Sequence, residues 1–226
     1  MADDLAIAAI TEALKQRLQA ALNQADALGA EVKTERPDKL TDTASPFVNL
    51  YLYQVLINPY LRNEELTPRT APGAGGHELI QTWRTPLLLH YLLSFYGDEK
   101  SLAPQRLLAV CTATLHRYAV IPAAEVAAAA KQFPDAGGPL QQTEDVMLGM
   151  MNMGLEESYR LWSSFKASYA LSTLYEARTA IVSSAPEATP VYLVEDLDLA
   201  VTATPPGQAL PAAGAGPGAA KPRGRS

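Results

Sequence analysis

The sequence has few of the residues from which metal sites and catalytic sites are built. Cysteine occurs once, at Cys111. Histidine occurs three times, at His77, His90 and His116. One cysteine excludes an intrachain disulfide and is typical of a reducing cytoplasm. The histidines show neither the H-x-x-x-H spacing nor a C-x-x-C partner that metal sites use, so we expect no metal and no cofactor.

Segments that direct a chain into or across a membrane are also missing. The N-terminus opens on acidic Asp3 and Asp4 rather than on a basic region, and the sequence contains no run of about eighteen apolar residues. The net charge of −6 disfavours non-specific binding to nucleic acid. These features predict a cytoplasmic protein that binds no nucleic acid and does not insert into a membrane.

Four remaining features have a catalytic or binding interpretation, and for each a structural role is favoured. Cys111 falls on the apolar stripe of a predicted helix, where free cysteine acts as a small hydrophobe. The glycine-rich segment 72–76 lacks the Lys-Ser/Thr of a phosphate loop, and Glu156 and Glu157 suit the first turn of a helix. The methionine-rich segment 149–154 fills a core or forms an adaptable binding surface. We therefore predict no enzyme; an unrecognised catalytic site is an alternative.

Hydrophobic patterning of two kinds defines the fold class. Apolar residues recur every three or four positions, which predicts helices over 7–28, from Ser101, over AAEVAAAAKQF and from about Leu155. In the last of these helices, the predicted inward stripe consists of Leu155, Tyr159, Trp162 and Phe165. Other segments suit strands: AEVKTERP, 47–57, 85–97, 146–151 and 169–183. Together they predict an α/β (α+β) domain with a single small mixed, mainly antiparallel sheet flanked by helices.

The turn after the first long strand is a candidate interface. Asn58-Pro59 ends this strand, and proline fixes the direction in which the chain leaves it. We expect Tyr60, Leu61 and Arg62 to be displayed at one end of the sheet, because arginine beside an aromatic residue is a favoured interface anchor. In the alternative, Leu61 packs under the domain and Arg62 pairs with a following glutamate. Residues 64–84 include TPRTAPGAGGHE, a predicted flexible loop, and Trp83 beside it is either a second anchor or packed on the sheet edge.

Several segments resemble one known family. These are VNLYLYQVLINPYLRN, TPLLLHYLLSFYG with APQRLLAVCTATLH behind it, and LEESYRLWSSFKASYALSTLYEARTAIV. In this order they are similar to the cap, or tail-terminator, family of phage-tail-like extracellular contractile injection systems, over roughly residues 5–184. The turn from Asn58 to Asn63 and the pattern that begins at Leu161 are the most specific parts.

The resemblance implies a structural role and a domain organisation. It implies a tail-terminator-like fold in residues 1–184, and a hexameric ring that terminates the inner tube and contractile sheath, fixes particle length and ties tube to sheath. Residues 185–203 are expected to add a strand and a connector, and residues 204–226, rich in Pro, Ala and Gly, to be a disordered tail. The expected partners are further copies of the chain, sheath subunits and tube subunits. The protein would assemble in the cytoplasm into a particle that can leave the cell.

A cap of this kind needs a sheet edge that accepts a strand from the sheath. Two segments with charged outward positions are candidates for that edge: AEVKTER, and the strand 169–183 with Glu176, Arg178 and Thr179. Other functions stay open at this point. They are a tail-completion or adaptor protein of a phage or type VI-like particle, and a general protein-binding module.

Overall fold

The structure is a computed structural model, and it describes residues 5–40, 45–61, 69–73, 76–81, 84–133, 144–183 and 187–191. The described residues belong to a unit that spans Met1–Val191, and a second unit spans Tyr192–Ser226. The expected tail 204–226 and most of the expected strand and connector at 185–203 lie outside the described residues.

The described chain contains both helices and strands. The helices are α1 (Ala6–Gln24), α2 (Ala103–Arg117), α3 (Ala123–Ala130) and α4 (Leu155–Phe165), with a 3-10 turn at Pro37–Lys39. The strands are β1 (Glu31–Lys33), β2 (Phe47–Ile57), β3 (Arg69–Gly73), β4 (Gly76–Gln81), β5 (Arg84–Tyr96), β6 (Val120–Ile121), β7 (Val146–Met151), β8 (Ser172–Ser183) and β9 (Glu187–Val191).

Six strands form the main sheet in the order β1-β2-β5-β8-β7-β6. β1 runs parallel to β2 and every other pair is antiparallel, which confirms the predicted mixed, mainly antiparallel sheet. The prediction that 169–183 forms a sheet edge is wrong. β8 lies between β5 and β7, and its residues from Leu174 to Arg178 pair with β7 on the side that was expected to be open.

A second sheet of three strands has the order β3-β4-β9. It corrects the prediction that 64–84 is only a flexible loop, because β3 and β4 pair as an antiparallel hairpin. The glycines and the proline that suggested a loop lie near the tip of this hairpin, where Pro72 pairs with His77 and Gly73 with Gly76. The third strand, β9 at 187–191, pairs antiparallel with β4.

Three helices cover one face of the main sheet. The buried stripe of α1 packs with residues from α2, α3 and the sheet in the larger hydrophobic core, and it consists of Ala9, Ile10, Ala13, Leu14, Leu18 and Leu22. Each fully buried leucine of this stripe contributes about 1.5–3 kcal/mol relative to exposure. α1 ends before the predicted residue 28, because Asp26 and Leu28 adopt left-handed φ angles of 45° and 60°.

A single helix, α4, covers part of the opposite face. Trp162 and Phe165 pack in a second core with sheet residues, namely Phe47, Leu92, Tyr96 and Leu174. The predicted inward stripe of α4 is therefore right in its second half and wrong in its first. Leu155 is 85% exposed and Tyr159 73% exposed, because Ser158, rather than either of them, shares the buried row with Trp162.

Candidate assembly surface

The outer edge of β2 is paired over only part of its length. β1 is three residues long and pairs with Phe47–Asn49, whereas β2 continues to Ile57. Beyond Lys33 the chain leaves the edge of β2, where the side chain of Asn49 binds the backbone of Glu35. Nδ2 of Asn49 donates to the carbonyl of Glu35 at 2.9 Å, and Oδ1 of Asn49 accepts the N–H of Glu35 at 3.0 Å. Within the described residues, no strand pairs with the outer edge of β2 after Asn49.

The register with β5 shows which backbone groups of β2 point outward. The N–H of Asn58 donates to the carbonyl of Pro86 at 2.9 Å, so at this position the backbone of β2 faces β5. Hydrogen-bonded and non-hydrogen-bonded pairs alternate in an antiparallel ladder, so Leu56 also faces β5, and Val55 and Ile57 direct their N–H and C=O groups to the open side. This arrangement accommodates Pro86 in an interior strand. Proline has no backbone N–H, and the nitrogen of Pro86 faces the point where β2 ends.

The same part of β2 is apolar and exposed on both faces. Val55 is 42% exposed, Leu56 40% and Ile57 58%, although an isolated soluble domain usually protects such an edge with charge or proline. We call Val55–Ile57 the distal edge. Sequence reasoning missed it, because the unpaired part of β2 depends on the three-residue length of β1 and on its pairing with β2, and the sequence predicted neither.

The turn that follows the distal edge displays one of the predicted interface residues. Tyr60 is 92% exposed, and its backbone N–H donates to Oδ1 of the buried Asn58 at 3.0 Å, which fixes the turn. Leu61 is half-buried. Arg62 and Trp83 lie outside the described residues. We call Asn58–Leu61 the Tyr60 turn.

The predicted residues Glu176 and Arg178 form a polar cluster on the sheet. Gln54, His90 and Glu176 lie side by side across β2, β5 and β8. A carboxylate oxygen of Glu176 is 3.1 Å from Nε2 of His90, and His90 Nδ1 is 3.3 Å from Gln54 Oε1. The other oxygen of Glu176 accepts a hydrogen bond from Arg178 Nε. Thr179 is the next residue of β8 after Arg178.

Two opposing effects set the pKa of Glu176. Burial acts to raise this pKa, but the hydrogen bonds and charges of Arg178 and His90 outweigh it, so the net pKa is below the ordinary value. The carboxylate is therefore charged at neutral pH. The charge of Glu176 is balanced by Arg178 within the cluster. The cluster is therefore a polar patch beside the apolar distal edge.

The residues considered for chemistry are placed in structural positions. Cys111 is buried on the inward stripe of α2, and burial raises the pKa of its thiol to about 12, so the thiolate is scarce at neutral pH. In the methionine-rich segment, Met150 is exposed, whereas Met151 and Met153 pack against the second core. Among the described residues, no group of three or more His, Cys, Asp or Glu could hold a metal ion. The described helices include none that is long and apolar enough to cross a membrane.

This fold is that of tail-terminator structures. The chain resembles the sheath/tube terminator of the extracellular contractile injection system PVC in its extended state, with a TM-score of 0.57 and 18% identity over 87% of this chain and 64% of that chain. It also resembles the tube-terminating cap of the anti-feeding prophage, with a TM-score of 0.56 and 16% identity over 85% of this chain and 60% of that chain. The chain thus spans less than two thirds of the length of either protein.

The family follows from the sequence itself. The family model described as the Pvc16 N-terminal domain matches residues 9–195, so the chain belongs to this family. The resemblance to cap proteins inferred from the sequence motifs is thereby confirmed. A search of curated proteins found no significant match.

Proposed function

We propose that the protein is a terminator cap of a contractile injection system. In this role it forms a hexameric ring at the end of the inner tube and sheath, stops their growth, fixes particle length and ties tube to sheath. Family membership and the fold shared with two terminator structures support the proposal. The role is structural and includes no catalytic step. Assembly would take place in the cytoplasm, and the finished particle would carry the cap out of the cell.

The observation that carries the proposal is the distal edge of β2. A strand supplied by a sheath subunit can pair with the outward N–H and C=O groups of Val55 and Ile57, which extends the main sheet by β-augmentation. Each main-chain hydrogen bond formed in this way contributes about 0.5–1.5 kcal/mol. The apolar side chains on both faces of the edge would be removed from water at the same time, which adds to the affinity.

The edge also explains how a cap ends a polymer. The opposite side of β2 is already paired with β5, so the distal edge offers one position for an added strand. A sheath subunit bound there donates its strand to the cap instead of to another sheath subunit. Growth would therefore stop at the layer that the cap occupies.

The test replaces a single outward-facing donor. In Val55→Pro the N–H that points to the open side is lost, while the bonds between β2 and β5 are retained. Val55→Thr is the matched control, because it keeps both the N–H and the β-branched shape. We expect Val55→Pro to reduce co-sedimentation with polymerised sheath about tenfold or more and Val55→Thr to leave it near the wild-type level. Equal capture by both variants would refute strand addition at this edge.

A further inference from the structure

A groove opens at the end of the main sheet opposite the distal edge. Its volume is about 900 Å³, and it is walled by the end of β5, the start of α2, the 3-10 turn and the connection from α4 to β8. Apolar and aromatic side chains from Tyr96, Leu102, Tyr169 and Leu171 line it. Asp38 and Glu99 make part of its lining acidic, and Lys166 adds one positive charge. We call it the terminal groove.

Two residues with left-handed backbone conformations line this groove, and the other two described non-glycine residues of this kind, Asp26 and Leu28, lie after α1. Leu102 and Lys166, which line it from two different connections, each have a left-handed φ of 55°. A left-handed conformation costs a residue with a Cβ atom roughly 1–2 kcal/mol. Gly97, a third lining residue, has a φ of 140°, and a Cβ atom there would lie 2.9 Å from that of Ala103. Strained connections that converge on a concave surface are typical of binding sites.

The Tyr60 turn lies at the other end of the same sheet. Phe47, at the start of β2, pairs with Tyr96 in the groove wall, whereas Ile57, at its end, precedes the turn. At about 3.4 Å per residue, the strand separates the groove from the turn by roughly 34 Å. The two features therefore cannot meet within one chain through this strand, but they can meet between copies.

We propose that the Tyr60 turn of one copy binds in the terminal groove of the next copy. The inference rests on the proposed ring and identifies the surfaces that close it. A side chain that is 92% exposed on a turn fixed by Asn58 is a preformed apolar projection, and burying a tyrosine removes about 150–250 Å² from water. Charge can contribute as well, because Arg62 follows the turn in the sequence and Glu99 lines the groove; Asp38 is paired with Arg36 at 3.1 Å.

The placement of the two surfaces matches the geometry that a ring requires. A ring is built from heterologous contacts, in which two different patches of one chain meet the reciprocal patches of its neighbours. A twofold dimer would instead bring the same patch of both copies together. Opposite ends of one sheet provide two such patches, and the strand between them sets the spacing of successive copies.

A mixing experiment on the full-length protein separates these arrangements. Tyr60→Asp removes the projection, and Ser168→Trp fills the groove. Tyr159→Asp and Ser163→Trp are the matched controls, because they change exposed residues of α4 that do not line the groove. Mass is measured by analytical ultracentrifugation under conditions in which the wild type forms a ring, with sheath subunits added where they are needed. Circular dichroism establishes that each variant is folded.

We expect neither Tyr60→Asp nor Ser168→Trp to form a ring alone, and an equimolar mixture to stop at a dimer of one copy of each. Both controls should form rings. Rings of Tyr60→Asp alone would overturn the inference and leave the terminator function standing. Loss of sheath capture by Tyr60→Asp with rings retained would also overturn it, and would assign the turn to the sheath. A wild type that forms no ring, even with sheath and tube subunits, would overturn the proposed function itself.

Discussion

The guanidinium of Arg17 and the carboxylate of Glu125 join α1 to α3 through two hydrogen bonds, one of them 3.1 Å long between Nε and Oε1. Nη1 of Arg17 also donates to the carbonyls of Tyr118 at 2.7 Å and Val120 at 2.8 Å. These carbonyls lie where α2 ends and β6 begins. One largely buried side chain therefore ties two helices to the link between α2 and β6.

Arg17→Met should destabilise the fold, because it leaves the carboxylate of Glu125 and two carbonyls without this donor. We expect the free energy of unfolding to fall by about 1.5–3 kcal/mol, the range for hydrogen bonds to charged groups. Urea denaturation measures the change. Lys15→Met is the matched control, since Lys15 forms only a surface ion pair with Glu12 at 3.6 Å, which is worth about 0–1 kcal/mol. Equal effects of the two substitutions would contradict this account.

Asn49→Ala should also destabilise the fold, through the backbone of Glu35. Asn49 is fully buried, and its amide satisfies both the N–H and the C=O of Glu35. Loss of a buried partner costs about 1–3 kcal/mol. Chemical denaturation should show a loss in this range, whereas Asn152→Ala, at an exposed residue between β7 and α4, should change stability by less than about 0.5 kcal/mol. A loss as small as that of the control would show that the Asn49 pair contributes little.

Local sequence patterns were sufficient to predict the long central strands. β2 begins and ends where its apolar run does, and Asn58-Pro59 stops it; β5 differs from its prediction by one residue at each end. Both strands are apolar on two sides over much of their length because helices cover both faces of the sheet. The sequence therefore contained enough information for these two strands and for the fold class.

Strand order and the direction of α4 required long-range information. The outward charges of β8 resembled those of an edge strand, but Glu176 and Arg178 use them to bind one another, and Glu176 also binds His90 of β5. In α4, Leu155 and Tyr159 have the spacing of an inward stripe, yet the helix buries a different row. Contacts between segments that are distant in the sequence decide both features. A local hydrophobic period carries no information about these contacts.

Cys111 should be unreactive in the folded protein. Burial raises the pKa of its thiol to about 12, so near neutral pH almost none of it is thiolate, the form that attacks disulfide reagents. We expect slow labelling by a chromogenic disulfide reagent in buffer and rapid, stoichiometric labelling in guanidinium chloride. The unfolded sample is the control for reagent quality. Rapid labelling of the native protein would show that the inner side of α2 opens readily.

Glu176 should make stability depend on pH in the acidic range. Its folded pKa is lowered from an ordinary value of 4.5, since Arg178 and His90 outweigh the effect of burial. A lowered folded pKa contributes stability that is present above the unfolded pKa and is lost as pH falls through the folded value. We therefore expect the wild type to exceed Glu176→Gln in unfolding free energy by a margin that shrinks from neutral pH to about pH 3. Glu156→Gln, at an exposed residue paired with Arg160, should show no comparable trend. A margin that widens toward acid would mean that burial, rather than Arg178 and His90, determines the pKa of Glu176.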